Sequence, residues 1–157
     1  MTTAPVCTCR PGATLWLTGP AHPAVAADLA SLLRTRYHRR AEVLHLPASG
    51  THGETAEAAV RRIGMIAEIL ARNGILALVV PTATAAVRAA GPDAVPESGS
   101  PAVPGADAVR AAQEEVRDRH LRSGAAFLAP PAGAGVTATT APALLALLDG
   151  HGLLPPG

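Results

Sequence analysis

The run Ile75 to Val80, ILALVV, is apolar at every position. A strand with one face in water alternates polar and apolar residues. A run without alternation therefore predicts a strand buried on both faces, as in parallel sheets covered by helices. Two further strand runs precede it, Ala13 to Thr18 (ATLWLT) and Glu42 to Leu46 (EVLHL). Between the runs, apolar residues recur at helical spacing. Val25, Leu29, Leu32 and Leu33 share one face of a helix over Pro23 to Tyr37. Val60, Ile63, Ile66, Ala67 and Leu70 do the same over Thr55 to Arg72, with Asn73-Gly74 as the stop. A charged helix follows over Asp107 to Arg122, with Val109, Ala112, Val116 and Leu121 for its buried side. AAFLAP, Ala125 to Pro130, reads as a fourth strand, and Pro142 to Leu148 opens a last helix ending near Gly150. Strands alternating with helices predict an α/β sandwich, a mainly parallel sheet flanked by helices on both faces.

With 157 residues the chain has the length of one domain. The expected organisation is a tail over 1–12, a single domain over 13–154, and a loop over about 89–105 that is dominated by Pro, Gly, Ser and Ala. The aromatic residues are Trp16, Tyr37 and Phe127, so the core must be built from Ala, Val, Leu and Ile. Formal net charge is +1 with acids and bases interspersed, which argues against nucleic acid or an anionic membrane as partner. No apolar run reaches the roughly 20 residues a bilayer span requires, and no basic region precedes a hydrophobic signal core, so the expected location is the cytoplasm. Every basic side chain apart from histidine is arginine. Without lysine, Schiff-base chemistry and any mechanism that needs a phosphate-loop lysine are excluded. Cys7 and Cys9 are too few for a structural zinc site and poorly spaced for a disulfide, which leaves them as tail residues.

Open parallel sheets bind ligands beyond the carboxyl ends of their strands, where Gly19 to Ala24, His45 to Ser49 and Pro81 to Thr84 are expected to meet. His22 and His45 should lie on neighbouring loops there, and histidine serves either as metal ligand or as acid and base near neutral pH. A third partner is missing, with Thr82, Thr84 and Glu54 as the weak candidates. Ser31 and Ser49 lack any nucleophile-elbow context. Arg61 and Arg62 are weak candidates for an anion contact. Glu57, four residues before Arg61, and nearby Glu54 favour salt-bridged or solvated arginines instead.

Four stretches carry a family resemblance: GATLWLTG, AEVLHL, VRRIGMIAEILARNGILALVV and the closing LLALLDGHGLLP. Together they resemble the adenylylsulfate (APS) kinases, which phosphorylate APS on its 3′-hydroxyl. The likeness runs strongly from Gly12 to Val80 and more weakly, but in order, from Asp107 to Leu154. It implies a P-loop-kinase-like three-layer sandwich and a link to sulfate assimilation. Because such kinases are commonly dimeric, it also implies a homodimer, or a complex with an active paralogue or pathway enzyme.

The resemblance fails at each element that carries the family's chemistry. Its first strand leads into a loop whose glycines, lysine and hydroxyls hold ATP phosphates and magnesium. Aligned on Gly19, His22 and Ala24 replace the second and third glycines, Val25 the lysine, and Ala26 and Ala27 the hydroxyl residues. Pro23 removes a backbone donor as well. His45 and Pro47 stand at the two aspartate positions that close the family's second strand. Thr55 to Ala59 replace the helix start that supplies arginine and asparagine to APS, and Pro81, Ala83 and Ala86 replace its later APS contacts. PAGAGVTATT, Pro131 to Thr140, stands where a basic lid of several dozen residues would be. The expected protein is an APS-kinase-like pseudoenzyme without cofactor or metal, acting on a partner enzyme or as a scaffold. Two other readings remain open: new, non-kinase chemistry by His22 and His45 in a specialised biosynthetic pathway, and residual binding of APS or its 3′-phosphorylated product.

Overall fold

The computed structural model describes residues 10–17, 22–47, 53–81, 105–130 and 140–155. Cys7, Cys9, Gly19, Ser49, Thr82, Thr84, Ala83, Ala86 and all of the 89–105 segment but Gly105 lie outside them. Strand β1 (Ala13–Trp16) leads to helix α1 (His22–Thr35), then β2 (Ala41–Leu46), α2 (Ala56–Arg72) and β3 (Leu76–Pro81). Helix α3 (Ala106–Ser123), strand β4 (Ala126–Leu128) and helix α4 (Ala141–Gly150) follow. The strands form one sheet in the order β2-β3-β1-β4, every neighbour parallel. This is the α/β sandwich expected from the alternating pattern.

Strand parity divides the core into two layers. Ala13, Leu15 and Leu17 of β1 and its extension, with Leu76, Leu78 and Val80 of β3, face α1 and α4, where Leu29, Leu33, Leu144 and Leu148 meet them. Trp16, Ala77 and Val79 face α2 and α3, meeting Val60, Ile63, Ala112 and Val116. All six residues of β3 are buried, as an apolar run between two helical layers requires. With so few aromatics, the layers approach through small residues. A Cβ on Gly64 of α2 would collide with the Val116 side chain of α3, so the two helices touch across a glycine.

The helix ends follow from local chemistry. Thr55 caps α2, its hydroxyl accepting from the Ala58 N–H at 3.3 Å, and Asn73 closes the helix with Nδ2 donating to the Ile69 carbonyl at 2.7 Å. Replacing Thr55 with alanine leaves that N–H without its cap. The expected loss is about 1 kcal/mol, read as a lowered denaturant midpoint with unchanged slope. An unchanged midpoint would show the cap to be idle.

One sequence expectation is corrected here. The sequence pattern places Leu121 on the buried side of α3, but it is 61% exposed and His120 is fully buried instead. The 3.6-residue period carries Val109, Ala112 and Val116 on to position 120 rather than 121. A polar bond accommodates the imidazole. Its Nε2 lies 2.9 Å from the Thr14 hydroxyl, and its Nδ1 lies 2.8 Å from the Val116 carbonyl. The carbonyl only accepts, so Nδ1 carries the proton and Nε2 accepts from Thr14.

Candidate functional site

The carboxyl edge of the sheet is where a parallel α/β fold places its ligands. Among the described residues it includes Leu17 after β1, Leu46 at the end of β2 with Pro47 after it, Pro81 at the end of β3, and the first turns of α1 and α2. His22 is the first residue of α1. His45 is the exposed penultimate residue of β2, in register with Val80. Both lie toward the same edge, but β1 and β2, the strands that lead to it, are not neighbours in the sheet. Strand β3 runs between β1 and β2, which separates the two chains by roughly 9 to 10 Å at the usual strand spacing. Sequential strands need not be adjacent, and here the α1 crossover spans one strand. No cluster of three or more His, Cys, Asp or Glu able to hold a metal ion occurs among the described residues.

The first turn of α1 holds the positions where the family resemblance would place lysine and hydroxyls. Val25 is half-buried against the core layer under α1, and Ala26 is completely buried within it. Ala24 and Ala27 are exposed and carry no polar atom beyond the backbone. Pro23 offers no N–H. A helix N-terminus still has partial positive charge, but among the described side chains from Pro23 to Ala27 none can neutralise a phosphate or orient magnesium.

The two arginines near this edge are both paired. Arg62 faces Glu54 in a fork, Nε to Oε1 at 3.1 Å and Nη2 to Oε2 at 3.0 Å, and these hydrogen bonds raise its pKa above the ordinary guanidinium value. Arg61 reaches across to α3, Nε to Glu115 Oε2 at 2.8 Å. Glu57, the expected i−4 partner, is not the residue that Arg61 bonds. The helix crossing brings Glu115 closer. Further along the same interface, Arg119 of α3 bonds Glu68 of α2. Burial pushes the Glu68 carboxyl up, but hydrogen bonds from Arg119 and Ser123 outweigh it and hold its pKa below the usual value. The Arg61–Glu115 and Arg119–Glu68 pairs stitch α2 to α3, whereas Arg62 and Glu54 pair with each other at the start of α2.

Sequence reading missed two polar groups: His120, hidden in an alternating-charge stretch, and Arg39, in the run RYHRR at 36–40. Arg39 is only 7% exposed, and among the described residues its Nε has no hydrogen-bond partner. The density of arginine after α1 was the available signal.

No protein-family model matches the chain, and no curated protein matches it. It is similar in fold to solved structures. The crystal structure of APE1195 shares 24% identity over 91% of this chain and 76% of that chain, with a TM-score of 0.51. A point mutant of the APS kinase CysC from Mycobacterium tuberculosis shares 21% identity over 76% of this chain and 74% of that one, with a TM-score of 0.49. At such identities the likeness to APE1195 is one of fold alone. No helix among the described residues is long and apolar enough to cross a membrane.

Proposed function

We propose that this chain is an APS-kinase-like pseudoenzyme that acts by binding a protein partner rather than by phosphoryl transfer. The observation that carries this reading is the first turn of α1. The residues aligned with the family's lysine and first hydroxyl are Val25 and Ala26, and both contribute to the apolar layer beneath the helix. The sequence resemblance suggests the family, and the packing at 25 and 26 supports the reading that its chemistry is absent. A lysine at 25 would have to leave that layer to reach a phosphate, and a hydroxyl at 26 would be buried among Leu29 and Leu33.

Phosphoryl transfer depends on positioning and on stabilising charge, and each lost electrostatic contact of this kind costs roughly two to three orders of magnitude in rate. His45 and Pro47 at the aspartate positions remove further contacts of the same type. The partner is proposed to be a second copy of the chain, an active paralogue or a pathway enzyme. The test is direct: purified protein is supplied with ATP, magnesium and APS, and 3′-phosphorylated product is followed against a no-protein control. No product above control is expected. Turnover that scales with protein concentration and survives repurification would overturn the proposal.

A further inference from the structure

Parallel strands all begin at one edge, so the amino edge of this sheet, opposite the edge described above, collects every strand entrance. Ala41, Leu76, Ala13 and Ala126 stand in register across it. In the order β2-β3-β1-β4 these starts form a row over three strand spacings, roughly 14 Å. Each strand is entered through an arginine. Arg40 immediately precedes Ala41, Arg10 lies three residues before Ala13, and Arg72 and Arg122 lie four residues before Leu76 and Ala126.

The backbone holds these entrances together. The Leu76 N–H donates to the Arg40 carbonyl at 2.9 Å, and a Cβ on Gly74 would lie 3.0 Å from the Arg10 carbonyl oxygen. His38 has φ 50°, a left-handed conformation uncommon for any residue but glycine. Beyond that turn Arg39 is buried and donates from Nη2 to the Pro11 carbonyl at 2.6 Å, while Arg40 is left in solvent. Arg72 and Arg122 are exposed as well, and Arg10 is half-buried. Two of the four rest on neutral acceptors: Arg10 Nη1 on the Leu154 carbonyl at 3.0 Å, and Arg122 Nε on the Asp118 carbonyl at 3.3 Å.

Among the described residues none of the four has a carboxylate within ion-pairing distance, whereas Arg34, Arg61, Arg62, Arg110 and Arg119 each do. Of the acids near this edge, Glu42 is engaged by Arg34, and Asp149 lines a groove with Arg36. Arg72 and Arg122 complement the negative ends of α2 and α3. Arg10 and Arg40 belong to no helix, so helix dipoles do not account for the row.

We propose that this row of arginines is a docking surface for an acidic protein segment, a stretch of several Asp or Glu residues on the partner. The inference rests on the partner-binding part of the function proposed above and gives that partner its chemistry. Charge complementarity selects the occupant, since guanidiniums without a carboxylate of their own chain offer paired N–H donors to carboxylates from another. Nucleic acid fits less well. A row of roughly 14 Å offers few phosphate contacts, and a formal net charge of +1 gives little attraction at range.

The test titrates a fluorescently labelled deca-glutamate peptide with the full chain and follows anisotropy at two salt concentrations. Saturable binding that weakens as salt rises is expected. Arg40→Glu and Arg72→Glu, both at exposed positions, should each weaken it about tenfold or more. Arg110→Glu makes the same change in net charge in the first turns of α3, toward the opposite edge, and should stay within about twofold of the wild type. No saturable binding would overturn the docking surface. An equal loss in Arg110→Glu would overturn it too, by reducing the effect to net charge. Tighter binding of a single-stranded oligonucleotide of equal charge, lost in the same two variants, would overturn it in favour of nucleic acid. None of these outcomes touches phosphoryl transfer, so the pseudoenzyme reading stands or falls on the turnover assay alone.

Discussion

Replacing Gly12 with alanine is expected to lower stability by about 3 kcal/mol, the upper range for forcing an extra carbon into a packed region. A Cβ at this position would lie 2.6 Å from the Ile75 carbonyl oxygen and 2.7 Å from the Ile75 nitrogen, and closer still to the Ala71 carbonyl. All three atoms are backbone, so no rotamer change relieves the contact. Nor is that backbone free to shift. The Ile75 N–H donates to Leu70 at 3.0 Å and the Gly74 N–H to Ala71 at 3.1 Å, in the turn that ends α2 and launches β3. Moving the turn disturbs the pairing of Ala13 with Leu76 one residue on. Gly150→Ala, where a Cβ meets nothing within 4 Å, is the control. Denaturant unfolding of the two variants checks the expectation, and a Gly12→Ala midpoint equal to that of the control would refute it.

His120→Ala is expected to cost about 3 kcal/mol, combining the cavity left by a buried ring with the stranded hydroxyl of Thr14. The ring also stands edge-on to Phe127, with centroids 5.2 Å apart, so its removal loosens the contact between α3 and β4. The same histidine makes stability depend on pH. Burial lowers its pKa from the ordinary 6.5 and outweighs the raising effects of the Val116 carbonyl and Glu68, with a smaller lowering from the charge of Arg119. In the unfolded chain His120 takes up a proton near pH 6.5, while in the fold it stays neutral to lower pH. The unfolded state therefore binds more protons in that window, and stability present above about pH 6.5 is lost as pH falls toward the folded pKa. Unfolding at pH 7.5 and pH 5.5 should show a drop in the wild type and a smaller one in His120→Gln. Equal drops would assign the acid sensitivity elsewhere.

The elements themselves were legible in the sequence because each has one dominant period. ILALVV could only be a buried strand, and Thr55 with Asn73-Gly74 marked both ends of α2. The strand order was not legible, since nothing in β1 or β2 records that β3 inserts between them. That insertion separates the carboxyl ends of β1 and β2, which the linear sequence alone would place side by side. Position 120 was misread because histidine scores as polar, although Thr14, far away in the sequence, satisfies its ring. At the candidate site, the absence of lysine and of hydroxyls from Ala24 to Ala27 was visible in the residue types alone. The burial of Val25 and Ala26 was not, because it depends on how α1 lies on the sheet. Likewise RYHRR reads as a solvated basic run until the left-handed turn at His38 directs one arginine inward.

The order β2-β3-β1-β4 also governs how the chain comes together in time. The unit β2-α2-β3 joins strands that are close in sequence, and it carries its own caps and a helix with a strong apolar face. It can assemble from nearby residues at modest entropic cost. Strand β4, by contrast, has three residues and pairs Ala13 with Ala126, partners separated by most of the chain. Closing so long a loop for so short a ladder offers little return until α3 is seated, which orders the events: the central unit first, the β4 edge last. That edge is accordingly the part of the sheet that should open first, and hydrogen exchange there should run ahead of exchange in β3.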